Sequence, residues 1–98
     1  MKIDKHIENG KGCYALEGRI DTTTAPDLER ELKNDMEHID SLILDFEKVD
    51  YISSAGLRVL LSAHKTMSKK GGMKVTKVNE MVREVFEVTG FSDILNIE

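Results

Sequence analysis

Residues 42–57 read Leu42-Ile43-Leu44-Asp45-Phe46-Glu47-Lys48-Val49-Asp50-Tyr51-Ile52-Ser53-Ser54-Ala55-Gly56-Leu57. The nearly continuous apolar run at its start predicts a strand buried on both faces. From Leu57 the period changes, and Leu57, Leu60, Leu61, His64 and Met67 or Ser68 fall on one face of a helix. That helix is expected to stop at Lys69-Lys70-Gly71-Gly72, where cations meet the negative helix end and glycine permits a left-handed cap. Residues 73–78 read as another strand. Strand, helix and strand in that order predict parallel neighbours joined by a right-handed crossover.

Working outward, residues 2–7 alternate weakly, as an edge strand does, and Glu8-Asn9-Gly10-Lys11-Gly12 reads as a hairpin turn. Residues 13–20 form the partner strand, in which Gly18 signals a bulge or the close approach of another backbone. Cys13 in that strand reads as a small core residue. Thr24 is the expected N-cap of a helix over about 24–37, with Pro26 in the first turn and Ala25, Leu28, Leu32 and Met36 at helical spacing. After residue 78, Asn79 caps a short helix carrying Met81, Val82, Val85 and Phe86. It stops near Thr89-Gly90, and Phe91, Ile94, Leu95 and Ile97 pack the tail. The expected fold is α/β. It is one domain over residues 1–98, a mixed sheet of about four strands with the opening hairpin antiparallel and the helices on one side. Leu42, Ile43, Leu44, Phe46, Leu57, Leu60, Leu61, Val75, Val85 and Phe86 are the expected core.

Composition narrows the function classes. The 98 residues are 40% hydrophobic and 33% charged, with a net charge of -4. No apolar run approaches the roughly 18 residues that span a bilayer, so no membrane insertion is expected. The N-terminus lacks the apolar segment of a secretory signal, which points to a cytoplasmic protein. One cysteine excludes an internal disulfide and a multi-thiolate metal site. Residues 51–79 carry Arg58, Lys65, Lys69, Lys70, Lys74 and Lys77 and no acid, whereas residues 80–98 carry Arg83 against five acids. The basic segment reads as a solvated helix face or as a docking surface for an acidic protein. Nucleic acid is not expected, since no aromatic residues interleave with the lysines.

Little in the chain suggests catalysis. His6, His38 and His64 sit on three elements without metal-ligand spacing; His6 and His38 read as exposed, His64 as a half-buried packing residue. Asp21, Asp45 and Asp50 lie at expected strand ends, too scattered to hold a hard cation. No metal, cofactor or enzyme activity is therefore expected. Ser53-Ser54-Ala55-Gly56 is different, because it joins a buried strand to a helix. A serine there serves as an N-cap, and the same helix start can hold a phosphate. Gly56 inside the first turn is unfavourable for a helix by about 1 kcal/mol, and it is expected to leave the preceding serine accessible.

With these residues in view, the chain resembles the STAS domain of bacterial anti-sigma factor antagonists. The resemblance rests on Leu16-Glu17-Gly18-Arg19-Ile20-Asp21 with Thr24-Ala25, on Leu42–Phe46 and Val49–Leu57, and on Gly71-Gly72 and Val85-Phe86 through Thr89-Gly90. It implies an antagonist that binds an anti-sigma factor and so releases a sigma factor. It also implies that the anti-sigma factor is a serine protein kinase that phosphorylates the antagonist, and that a metal-dependent serine phosphatase reverses this. Against the family motif Asp-Ser-Ser/Thr-Gly-Leu, Ser54 takes the acceptor place, Ala55 the second hydroxyl place and Ser53 the place of the Asp. Ser53 is the alternative acceptor. Asp21 matches the family's loop aspartate. The partner surface implied comprises Asp21, Thr22, Thr23, Thr24, Ser53, Ser54, Ala55, Gly56 and Arg58. A STAS module for another client, a scaffold or a transporter-associated subunit, is the other reading.

Overall fold

In the computed structural model, which describes residues 1–98, the chain runs β1 (Lys2–Glu8), β2 (Lys11–Ile20), α1 (Ala25–Met36), β3 (Ser41–Ile52), α2 (Ser54–Met67), β4 (Met73–Thr76), α3 (Glu80–Val88), a 3-10 turn (Phe91–Asp93) and β5 (Asn96–Ile97). The strands form one sheet in chain order, with β1 antiparallel to β2 and every later pair parallel. The expected α/β domain with a mixed sheet is present, with five strands rather than about four. The fifth comes from the tail, where buried Leu95 anchors the chain and Asn96 and Ile97 pair beside Lys74 and Val75. A two-residue strand carries no periodicity, so the sequence shows it only as apolar tail residues.

The helices cover one face of the sheet, and this corrects the reading of β3 as buried on both faces. Leu42, Leu44 and Phe46 are buried, while Ile43 between them is 39% exposed. Alternation is what one covered face demands; the run looks continuous only because an isoleucine stands on the open face. Cys13 is corrected for the same reason. It pairs with Ile43 across β2 and β3 and is half-buried on that open face, while its neighbour Tyr14 enters the core. Leu61 and Val85 are also only half-buried; the other seven expected core residues are buried.

Towards its end β3 outruns β2. Ala15 and Glu17 face Asp45 and Lys48, and Gly18 and Arg19 face Val49 and Tyr51, so β3 carries an extra residue at each step. Gly18, on β2 opposite the second irregularity, has φ 106°, a backbone conformation that glycine adopts readily. Its φ leaves the close-approach reading unnecessary, since a Cβ there would meet only the Met1 Cα at 3.6 Å. The bulges change the buried pattern to Phe46, Val49 and Ile52. They deliver the ends of β2 and β3 to the same edge of the sheet.

Helix α1 buries Ala25, Leu28, Leu32 and Met36, the expected stripe. A polar clamp ties its outer side to the edge strand. The Tyr14 hydroxyl points at the Asp35 carboxylate, with the Glu31 carbonyl 3.1 Å away, and Lys5 lies 2.6 Å from Glu31 and 2.9 Å from Asp35. The far end of α1 is held by Lys70, whose ammonium donates to the carbonyls of Met36 at 2.5 Å and Ile39 at 3.0 Å.

Candidate functional site

The end of β2 and the start of α2 are joined by one backbone bond, from the Ser53 amide to the Ile20 carbonyl at 2.8 Å. Parallel pairing up to Ile20 and Ile52 leaves the two following segments side by side. One is the loop Asp21–Thr24 and the other is the turn Ser53–Gly56.

The loop is built around Asp21. Its Oδ1 accepts from the amides of Thr23 and Thr24 at 3.0 and 3.1 Å. Thr24 borders α1 as expected, but its side chain does not cap the helix. Its hydroxyl accepts from the Asp21 amide at 2.9 Å and faces the Arg19 carbonyl at 2.8 Å. Asp21 instead closes the turn that leads into α1, its carboxylate being a stronger acceptor for free amides than a hydroxyl. The amide of Thr24 chiefly, with that of Thr23, the Thr24 hydroxyl and Arg19, holds the Asp21 carboxyl below the usual carboxylate range, against an opposing effect of burial. Asp21 is thus a fixed anion at neutral pH. Thr22 and Thr23 are exposed.

On the turn, Ser53 is the N-cap of α2. It is half-buried, with extended backbone, and its Oγ accepts weakly from the Gly56 amide at 3.4 Å. Serine and aspartate are near-equal N-caps, so Ser53 can perform the capping that an Asp would perform at that place. Ser54 is the first helical residue and is exposed; Ala55 is half-buried and Arg58 is exposed without an ion-pair partner. Gly56 is buried, which corrects the view that it serves to bare the serine. A Cβ there would stand 2.7 Å from Ile20 Cγ2 and 2.8 Å from Ile52 Cγ1. The glycine lets the first turn of α2 sit directly on the ends of β2 and β3.

Two residues of this surface escaped the sequence reading. Arg19 and Tyr51 are paired across β2 and β3, and the Arg19 guanidinium lies 4.3 Å from the Tyr51 ring centroid and 3.7 Å from Asp21. A cation stacked on an aromatic ring is held in place without a buried partner. The available signal was positional: each stands just before the isoleucine that ends its strand.

The basic segment is not one patch. Arg58 and Lys65 are exposed along α2 and Lys69 just beyond its end, Lys70 is taken up by α1, Lys74 pairs with Glu98 at 3.1 Å and Lys77 lies 3.7 Å from Asp45. Asp45 sits within β3 rather than at its end, bonding the Glu47 amide at 2.9 Å beside a bulge, and Asp50 is exposed. His6 is exposed 3.2 Å from Glu8, His38 is exposed, and His64 is half-buried with Nδ1 unpartnered. No three His, Cys, Asp or Glu side chains converge as metal ligands, and no helix is long and apolar enough to cross a membrane.

Among known proteins, the model of the STAS domain family matches residues 2–98. BtrV of Bordetella bronchiseptica is 34% identical over 99 aligned positions, which cover 99% of this chain and 85% of BtrV. The anti-sigma-B factor antagonist of Bacillus subtilis is 32% identical over 83, covering 84% of this chain and 76% of that protein. The crystal structure of an anti-sigma factor antagonist from Mycobacterium paratuberculosis superposes with a TM-score of 0.88 at 23% identity, over 98% of this chain and 83% of that one.

Proposed function

This chain belongs to the STAS domain family, and on that premise we propose that it is a cytoplasmic anti-sigma factor antagonist, a binding protein switched off by phosphorylation of Ser54. Its similarity to the anti-sigma-B factor antagonist supports the class of partner. One observation carries the choice of residue. The Ser54 hydroxyl is exposed at the first position of α2, whereas Ser53 is half-buried and turned towards the Gly56 amide.

In its unmodified form the turn offers a small hydroxyl, Ala55 and Gly56, beside the Asp21 loop. Such a surface permits close approach by an anti-sigma factor. The partner, acting as a serine kinase, transfers the γ-phosphoryl group of ATP to the Ser54 oxygen; the hydroxyl proton passes to a kinase base and ADP leaves. The product carries about -1.5 to -2 charges at pH 7. Free amides and the positive end of α2 stabilise that charge, so the fold survives. Docking does not, because the phosphate must be desolvated next to Asp21, already an anion. A buried charge without a partner costs several kcal/mol, which lowers affinity about a hundredfold or more. The switch acts by local repulsion and bulk. A metal-dependent serine phosphatase restores the binding form.

Incubation with the cognate kinase and ATP should add one phosphate to the wild type and none to Ser54→Ala, with the modified peptide mapped by mass spectrometry. Calorimetry should then show binding by the unmodified protein alone. Phosphate on Ser53 would move the site by one residue, and undiminished binding by the phosphorylated form would refute the mechanism.

A further inference from the structure

Met81 and Val88 are the most exposed large hydrophobic side chains of the molecule, at 65% and 80%. Both belong to α3. At about 100° of turn per residue, Met81, Val85 and Val88 line one stripe, while Val82 and Phe86 face the sheet and are buried. The apolar arc of α3 is therefore wider than the sheet covers. The uncovered part forms a shallow groove of about 310 Å³ lined by Met81, Glu84, Val85, Val88 and Thr89.

The rim of this stripe is acidic. Glu80, Glu84 and Glu87 follow one another along its flank, and Asp50 at the end of β3 joins Glu80, Met81 and Glu84 around the adjoining hollow. Nine ion pairs are formed elsewhere, yet none of these four carboxylates has a cationic partner. The one base of the helix, Arg83, lies three residues from Glu80 and four from Glu87 and forms an ion pair with neither. Four carboxylates against one base, beside two turns of uncovered apolar surface, favour a ligand with the reverse arrangement. Nucleic acid and anionic lipid would be repelled.

We propose that the outer stripe of α3 is a docking surface for a basic amphipathic helix of a partner protein. Apolar residues of that helix pack on Met81, Val85 and Val88, and its flanking Lys or Arg side chains neutralise Asp50, Glu80, Glu84 and Glu87. The surface lies on a different helix from Ser54, so its occupancy does not require the hydroxyl to be free.

The test titrates the full ¹⁵N-labelled chain with a synthetic helical peptide bearing leucines at i, i+4, i+7 and i+11 and Lys or Arg elsewhere. Amide shifts should concentrate in residues 80–89 and at Asp50, and affinity should fall with salt. Met81→Ser and Val88→Ser, which alter exposed side chains and should keep the thermal midpoint, are expected to weaken binding by about tenfold each. Glu84→Gln should weaken it and flatten the salt dependence, and Ser54→Ala should leave it unchanged. No binding by the wild type would overturn the proposal, as would shifts centred on Asp21 and Ser54 or equal binding by a peptide with Glu in place of the bases. Sedimentation of the chain alone supplies a further check. Dimerisation abolished by Val88→Ser would make a second copy the occupant and likewise overturn it.

Discussion

The Ser53 amide donates to the Ile20 carbonyl over 2.8 Å, and this bond sets the Asp21 loop beside the start of α2. It is the last hydrogen bond of the parallel pairing between β2 and β3. A shift of register by one residue would carry Ser54 away from Asp21 and turn the buried isoleucines outward. The relationship between loop and turn therefore belongs to the sheet rather than to either segment.

Gly56→Ala should destabilise the protein by about 1–3 kcal/mol although alanine is the better helix former. The new methyl would meet Ile20 Cγ2 at 2.7 Å and Ile52 Cγ1 at 2.8 Å. Urea melts decide the sign, and a stabilised variant would show that close approach is not why glycine stands there.

Leu60→Ala should cost about 2–5 kcal/mol, since Leu60 is fully buried on the inner face of α2. Ile43→Ala should cost less, because Ile43 is 39% exposed on the open face. Equal losses in the two variants would mean that the open face is covered in solution.

The Tyr14–Asp35–Lys5 clamp predicts a loss of stability in acid. Burial pushes the Asp35 carboxyl up, but hydrogen bonds from Tyr14 and Lys5, with the charge of Lys5, outweigh it and hold the carboxyl below its usual range. A depressed folded pKa contributes stability above the unfolded value and loses it as pH falls through the folded one. The stability advantage of the wild type over Asp35→Asn should therefore shrink as pH drops below about 4. Curves that stay parallel from neutral pH into acid would remove Asp35 from the clamp.

Asp21→Asn keeps an acceptor but removes the charge that draws the Thr23 and Thr24 amides inward. Those two amides should exchange hydrogen faster than in the wild type, and affinity for the anti-sigma factor should fall with the loosened loop. Unchanged exchange would assign the loop geometry to Thr24 and its bond to Arg19 instead.

Arg58→Glu changes an exposed side chain that has no partner within the molecule. Stability should move by no more than about 0.5 kcal/mol. Binding to the anti-sigma factor should weaken, most at low salt, where attraction between opposite charges is least screened. Equal affinity for both proteins at low salt would take Arg58 out of the interface.

The order of elements was legible in the sequence because it depends on local periodicity. Leu28, Leu32 and Met36 mark a helix wherever it packs, and Ser53-Ser54-Ala55-Gly56 marks a strand-to-helix turn. The tertiary structure alone decided which faces are covered and what each polar group meets. Ile43 and Cys13 look like core residues until the sheet is seen to carry helices on one side. Thr24 reads as the cap until its hydroxyl is found to meet the Asp21 amide instead. Lys70 belongs to a basic run until the end of α1 arrives at its ammonium. Arg19 and Tyr51 become neighbours only through parallel pairing with two bulges. Periodicity reports the geometry of a residue relative to its own backbone. Burial, hydrogen bonding and charge pairing depend on segments far away in the chain, whose register is set only when the sheet closes.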